Sequence, residues 1–269
     1  MQQQLKNLLQ EGRLTKAIEL CGDKLKDSPA DFELRSLFIE MLCVDGQLER
    51  ADQQLNLIVK QFPECLPGAM NMRQLVHAAQ ARVDFGVGGD TATYVGNGKH
   101  TLAPLIKLRM ALRDENSEQL TDAAFKLEES RESRTVTIND MSVETLRDID
   151  DSLAGYLEVF GTNGKYYLIP YSDICWLKFM PVESLFESVW RKAEIDILNG
   201  PSGEVFIPLT YLQSESDCEK LGRETDWQQM LDSDFYQGRG LKLWLVNDSA
   251  FSITSLQVLE VSPETELVE

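Results

Sequence analysis

Asp148-Ile149-Asp150-Asp151 brings three carboxylates into four residues, a density that can hold a hard cation such as Mg²⁺ or supply a general acid and a general base. No second ligand cluster accompanies it. A metal-dependent enzyme centred on these acids is kept as an alternative, and the reading adopted is a salt-bridged turn made with Arg147 between two domains. Gly86-Val87-Gly88-Gly89 frees backbone that could wrap a phosphate, but a dinucleotide fingerprint needs a third glycine and a preceding strand. Gly98-Lys99 has the end of a Walker A loop, yet His100 stands where the magnesium-binding hydroxyl belongs and Thr93 where the first glycine belongs. His77 and His100 fit no zinc signature, and no Ser or Cys sits in the context of an activated nucleophile. The sequence gives an enzyme no positive support; no catalytic, metal-binding or cofactor residue is expected.

Charge narrows the partners. The 269 residues carry 26 Lys+Arg against 44 Asp+Glu, a formal net charge of -18, which repels nucleic acid and anionic lipid. Up to residue 135 there are 17 basic and 20 acidic residues, and after it 9 and 24, so -15 of that charge lies in the C-terminal half. No run of 18 apolar residues occurs and the first residues have no signal-peptide pattern, so a soluble cytoplasmic chain with no membrane insertion is expected. Five cysteines without a C-x-x-C pair suit free thiols in a reducing compartment.

The elements that must position these residues change type near residue 135. Before it, Gly12-x-Leu14-x-Lys16-Ala17 returns as Gly46-x-Leu48-x-Arg50-Ala51, and Pro29 returns as Pro63, each after 34 residues, the tetratricopeptide (TPR) period. The small Ala lets paired helices approach, Gly opens the turn and Pro ends the second helix. Helices are expected over 2–10, 14–27, 32–44, 48–61 and 68–82, then a Gly-rich loop over 84–100, then a displaced helix pair over 102–113 and 118–130. After residue 135, Asn163-Gly164 reverses a hairpin of 156–160 with 166–170, a second hairpin joins 193–198 to 204–207, and 241–246 and 251–259 read as final strands. The expected fold class is α+β in two domains: a TPR-like α-α superhelix over 1–135 and an acidic, strand-rich α+β module over 136–269.

The segment Leu146-Arg147-Asp148-Ile149-Asp150-Asp151 through Phe160, then Tyr166 to Pro170, Trp190-Arg191, and Gly203-Glu204-Val205-Phe206-Ile207-Pro208 with Tyr211, closely resembles the ImpE family, also called SciE or TagJ. The resemblance covers nearly the whole chain; Ser214 to Asp234 is less typical of it. It singles out Arg147, Asp148, Asp150, Asp151, Trp190, Arg191, Glu204 and Pro208 as family-motif residues. It implies a bacterial, virulence-associated adaptor of type VI secretion without enzymatic activity, contacting the small subunit of the contractile sheath and the AAA+ ATPase that disassembles it.

Stacked helix pairs present a concave groove suited to a partner's helix or extended peptide. The repeat register puts Lys6, Leu9, Gln10, Ser36, Glu40, Cys43, Gln74 and His77 on it. Trp176, Trp190 and Trp244 are flanked by apolar residues and read as core. Trp227 lies in a polar run and reads as an exposed partner contact. A general scaffold for a basic partner, drawn by the acidic half, is a further alternative.

Overall fold

Burial at intervals of three and four residues builds the N-terminal helices, as in Leu14, Ala17, Ile18, Cys21 and Leu25. A computed structural model describes residues 2–95, 99–132 and 134–261. It contains α1 (Gln2–Gln10), α2 (Leu14–Asp27), α3 (Phe32–Asp45), α4 (Leu48–Gln61), α5 (Leu66–Gly86), α6 (Lys99–Arg113) and α7 (Ser117–Glu129). Asp31 caps α3 by accepting the Leu34 N–H at 3.0 Å. Gly46, at φ 83°, closes α3 in the left-handed region that a side chain would disfavour, which explains its return after 34 residues. Ala17 and Ala51 are fully buried, and Ala123 nearly so, as their small size predicts.

The chain then turns to strands: β1 (Ala92–Tyr94), β2 (Val136–Ile138), β3 (Met141–Val143), β4 (Leu146–Asp148), β5 (Tyr156–Gly161), β6 (Tyr166–Pro170) and β7 (Ile174–Phe179). After these come β8 (Trp190–Ile197), β9 (Ser202–Pro208), a one-turn helix α8 (Asp217–Lys220), β10 (Thr225–Gln229), β11 (Tyr236–Gly240), β12 (Leu243–Val246), β13 (Ser249–Ser252) and β14 (Val258–Val261). Nine strands form one sheet in the order β1-β6-β5-β9-β8-β7-β14-β2-β3; β13-β12-β4 form a second sheet and β10-β11 a hairpin. Alternation along β5 divides the interior. Tyr156 and Phe160 face the core shared with the helices, while Leu157 and Val159 face the core shared with Trp244 and Val246 of the small sheet. The protein is thus layered as helices, large sheet and small sheet.

Several sequence expectations are corrected. The Gly-rich stretch over 84–100 is divided, because α5 runs to Gly86, β1 occupies 92–94 and α6 begins at Lys99; Gly96, Asn97 and Gly98 lie outside the described residues. Parallel pairing of β1 with β6 makes a segment before residue 135 the edge of the large sheet. The strand expected over 251–259 is two, β13 and β14, separated by a 3-10 turn at Ile253–Ser255 and belonging to different sheets.

Candidate functional site

β4 and the turn after it bring the acidic motif into the interior. Asp148 is fully buried and Asp150 is 4% exposed. One oxygen of Asp148, Oδ1, accepts the Tyr211 hydroxyl at 2.8 Å and the Asp150 N–H at 2.9 Å; Oδ2 has no hydrogen-bond partner among the described residues. Asp150 accepts the N–H groups of Ser152 at 2.7 Å and Gly238 at 3.0 Å. Asp151 takes Arg147 at 2.7 Å and the Tyr236 N–H at 2.8 Å, while Arg147 also reaches Glu128 of α7 at 3.0 Å. Burial pushes Asp148 up to about 7, opposed by the Lys242 charge and reinforced by the Asp150 carboxylate. Asp150 is also raised, chiefly by burial.

Beside this motif lies a buried charge cluster. Glu158 of β5 receives Arg82 of α5 through two contacts, Nε–Oε1 2.7 Å and Nη2–Oε2 2.6 Å, together with Lys242 Nζ at 2.5 Å and the Tyr166 hydroxyl at 2.8 Å. Burial opposes ionisation of Glu158, but the two cations and their hydrogen bonds outweigh it and hold the carboxyl far below the usual range. Arg109 of α6 donates to the Ser152 carbonyl at 3.1 Å and lies over the Phe85 ring.

These contacts bring the acids donors from β4 and the turn after it, from α5 and β11, and from Tyr211 and Lys242. Among the described residues, no three His, Cys, Asp or Glu side chains converge as a metal site. The geometry shows Asp148, Asp150 and Asp151 tying β4 and the turn after it to Tyr211 and to β11. The glycine run is likewise engaged, because the Gly88 and Gly89 N–H groups bond the Phe85 and Asp84 carbonyls at 3.0 and 2.8 Å and so finish α5. His100 lies in a helix, and its side chain is outside the described residues.

The groove residues separate. Ser36 and Glu40 line an apolar groove floored by Phe32, Ile39, Leu55, Ile58 and Met72 of α3, α4 and α5. Glu40 is already engaged, accepting the Leu185 and Phe186 N–H groups at 2.8 and 3.4 Å, and burial raises its carboxyl. Cys43 is 2% exposed and packed in the core, so it is withdrawn as a contact residue. Gln74 packs at the Gly164 turn of the β5–β6 hairpin. Lys6 and His77 are exposed. Leu9 and Gln10 offer their carbonyls to Arg223. Trp227, expected to be exposed, is half-buried with its ring 5.8 Å from that of Tyr211. Of the other motif residues, Trp190 stands opposite Pro208 across β8 and β9, Glu204 pairs with Lys192 at 2.8 Å, and Arg191 lies over Phe179.

Sequence reasoning missed Arg82, Arg109, Glu158, Tyr211 and Lys242. Two carried a signal: Glu158 interrupts Tyr156-Leu157-x-Val159-Phe160, and Lys242 lies between Leu241 and Leu243, each a charge inside an apolar strand that must be paired when buried.

The family model described as "ImpE protein" matches residues 140–260. The type VI secretion system accessory component TagJ of Pseudomonas aeruginosa is 27% identical over 262 residues, which cover 95% of this chain and 90% of that one. A crystal structure of a Vibrio parahaemolyticus protein superposes with a TM-score of 0.94 at 46% identity, covering 97% of this chain and 98% of that one.

Proposed function

From the premise that the chain belongs to the ImpE family, we propose that it is a type VI secretion accessory protein working as a non-enzymatic adaptor in the bacterial cytoplasm. In this reading residues 1–135 are a TPR-like interaction domain and 136–269 an acidic domain rigidly attached to it. The adaptor holds the small subunit of the contractile sheath and links it to the AAA+ disassembly ATPase. The likeness to TagJ along 95% of the chain carries this reading, because it spans both halves and not the acidic module alone.

The apolar groove gives it a physical basis. Phe32, which lines it, is 39% exposed beside Ile39, Ile58 and Met72, and an amphipathic helix laid there would bury apolar faces of both partners. Ser36 supplies a polar rim, while Glu40 fixes the neighbouring 185–186 turn. No helix among the described residues is long and apolar enough to cross a membrane.

The test is co-purification of the small sheath subunit on the immobilised full chain, compared with Ser36→Arg/Met72→Arg, whose melting temperature is checked first. Retained fold with loss of the subunit supports the groove; undiminished capture would remove the groove from the reading. Failure of the wild type to capture either the sheath subunit or the ATPase would remove the adaptor role.

A further inference from the structure

One face of the large sheet changes character along its width. Residues directly opposite in an antiparallel pair share a face, so the registers Trp190↔Pro208, Lys192↔Phe206, Glu194↔Glu204 and Asp196↔Ser202 lie on one side of β8 and β9. At the Trp190 and Phe206 end that side is covered by Phe186, whose ring lies 6.4 and 6.1 Å from theirs. From Lys192 onward the side chains on this face are exposed or half-buried. It continues across β7 and β14 as two rows, Glu194↔Lys178↔Val258 and Asp196↔Trp176↔Glu260, and Glu260 stands opposite Thr137 of β2. Trp176, half-buried, is therefore flanked by a carboxylate from each neighbouring strand, with opposed Cβ atoms about 5 Å apart. Glu194 and Glu260 are exposed, and among the described residues no cation pairs with Glu194, Asp196 or Glu260. Glu204 is neutralised by Lys192, and Lys178 is the remaining cation of the face.

We propose that this open sheet face docks a basic segment of a partner protein, with an arginine of that segment stacked on Trp176 between Asp196 and Glu260. Guanidinium is the chemistry that fits: it is planar and weakly hydrated, it stacks on indole, and its fork can pair carboxylates at its edges. With Glu194, Asp196, Glu204 and Glu260 against Lys178 and Lys192, the face is net negative. Charge complementarity therefore selects a cationic occupant and disfavours a second copy of a chain whose formal charge is -18. The surface belongs to β7, β8, β9 and β14, whereas the proposed groove belongs to α3, α4 and α5, so failure of either leaves the other standing.

The test is calorimetric titration of the full chain with an alternating Arg-Val octapeptide amide, whose arginines share one side when extended, and with its Glu-Val counterpart. Asp196→Lys/Glu260→Lys is compared with the charge-matched Asp27→Lys/Asp248→Lys, which alters exposed residues off this face. The expected result is binding of the arginine peptide alone, tenfold or more weaker in the face variant and within twofold of wild type in the matched control. Trp176→Ala, with every charge kept, is expected to lose about fivefold through the missing cation–π contact. Equal loss in both charge-reversed variants would reduce the attraction to diffuse electrostatics and overturn the site. Wild-type affinity in Trp176→Ala, no binding by the wild type, or self-association of the chain abolished by the face variant would overturn it as well.

Discussion

Arg82 and Glu158 lie 76 residues apart in the chain and meet through two hydrogen bonds, at 2.7 and 2.6 Å, with side chains 8 and 4% exposed. One sits on α5 of the N-terminal helices and the other on β5 inside the large sheet, so the pair joins the two halves. Removing one partner of a buried pair strands the other, at a cost of about 3–5 kcal/mol. Glu158 serves two cations, Arg82 and Lys242, whereas Arg82 serves one acid. Glu158→Ala is therefore expected to lower unfolding stability more than Arg82→Ala, measured by urea denaturation at neutral pH. Equal losses would mean that Lys242 does not depend on Glu158. Because the folded carboxyl titrates below its unfolded range, this stabilisation is complete above the unfolded glutamate range and is lost progressively as pH falls from that range through the folded titration.

A second junction comes from the polar stretch that resisted reading. Arg13, at the start of α2, makes no side-chain cap, and Asp217 supplies one from 202 residues away, accepting the Thr15 N–H at 3.0 Å and its hydroxyl at 2.7 Å. Lys220 pairs with Asp45 at 2.9 Å, and Arg223 holds the carbonyls that end α1. Asp217→Ala is expected to cost about 0.5–2 kcal/mol, the usual range for a lost N-cap. Faster amide exchange should be confined to the α1–α2 junction, as read by hydrogen–deuterium exchange. Exchange unchanged there, or accelerated throughout the protein, would contradict a local cap.

This strap shows where the sequence was legible and where it was not. The helices follow from apolar spacing and the 34-residue return of Gly12 and Gly46, and the β5–β6 hairpin from Asn163-Gly164, because both signals are local. Strands β2, β3 and β4, of three residues each, are too short for a period of two to emerge. The acidic motif was visible as a cluster, but its partners Tyr211, Gly238 and Tyr236 lie 63 to 88 residues from their acids, and a single sequence does not record such pairings. Glu40 likewise sat on the expected helix face while its carboxylate was engaged 145 residues downstream.

Thiol reactivity separates core from groove. Burial pushes the Cys21 and Cys43 thiols up to about 12, so neither forms the nucleophilic thiolate at neutral pH, and both side chains are inaccessible. Cys65, half-buried in the apolar groove, is open to reagent. Native-state labelling followed by mass spectrometry is expected to modify Cys65 and spare Cys21 and Cys43. Modification of Cys43 at a comparable rate would show that the α3 packing opens.

Asp148 should make the fold sensitive to pH in the opposite sense to Glu158. Its folded titration near 7 lies above the roughly 3.9 of an exposed aspartate, so between these values the folded state binds the proton that the unfolded state has released. Stability then falls as pH rises from about 4 to about 7, and the loss is complete once the folded carboxyl is ionised. Asp148→Asn keeps an oxygen for the Tyr211 hydroxyl and the Asp150 N–H but cannot ionise. Other titrating groups cancel when the variant is compared with wild type at each pH. The stability difference, variant minus wild type, is expected to rise by a few kcal/mol between pH 4.5 and 8 in urea denaturation. A flat difference would show that Asp148 ionises in the folded protein as readily as in the unfolded chain, and that Lys242 compensates its burial fully.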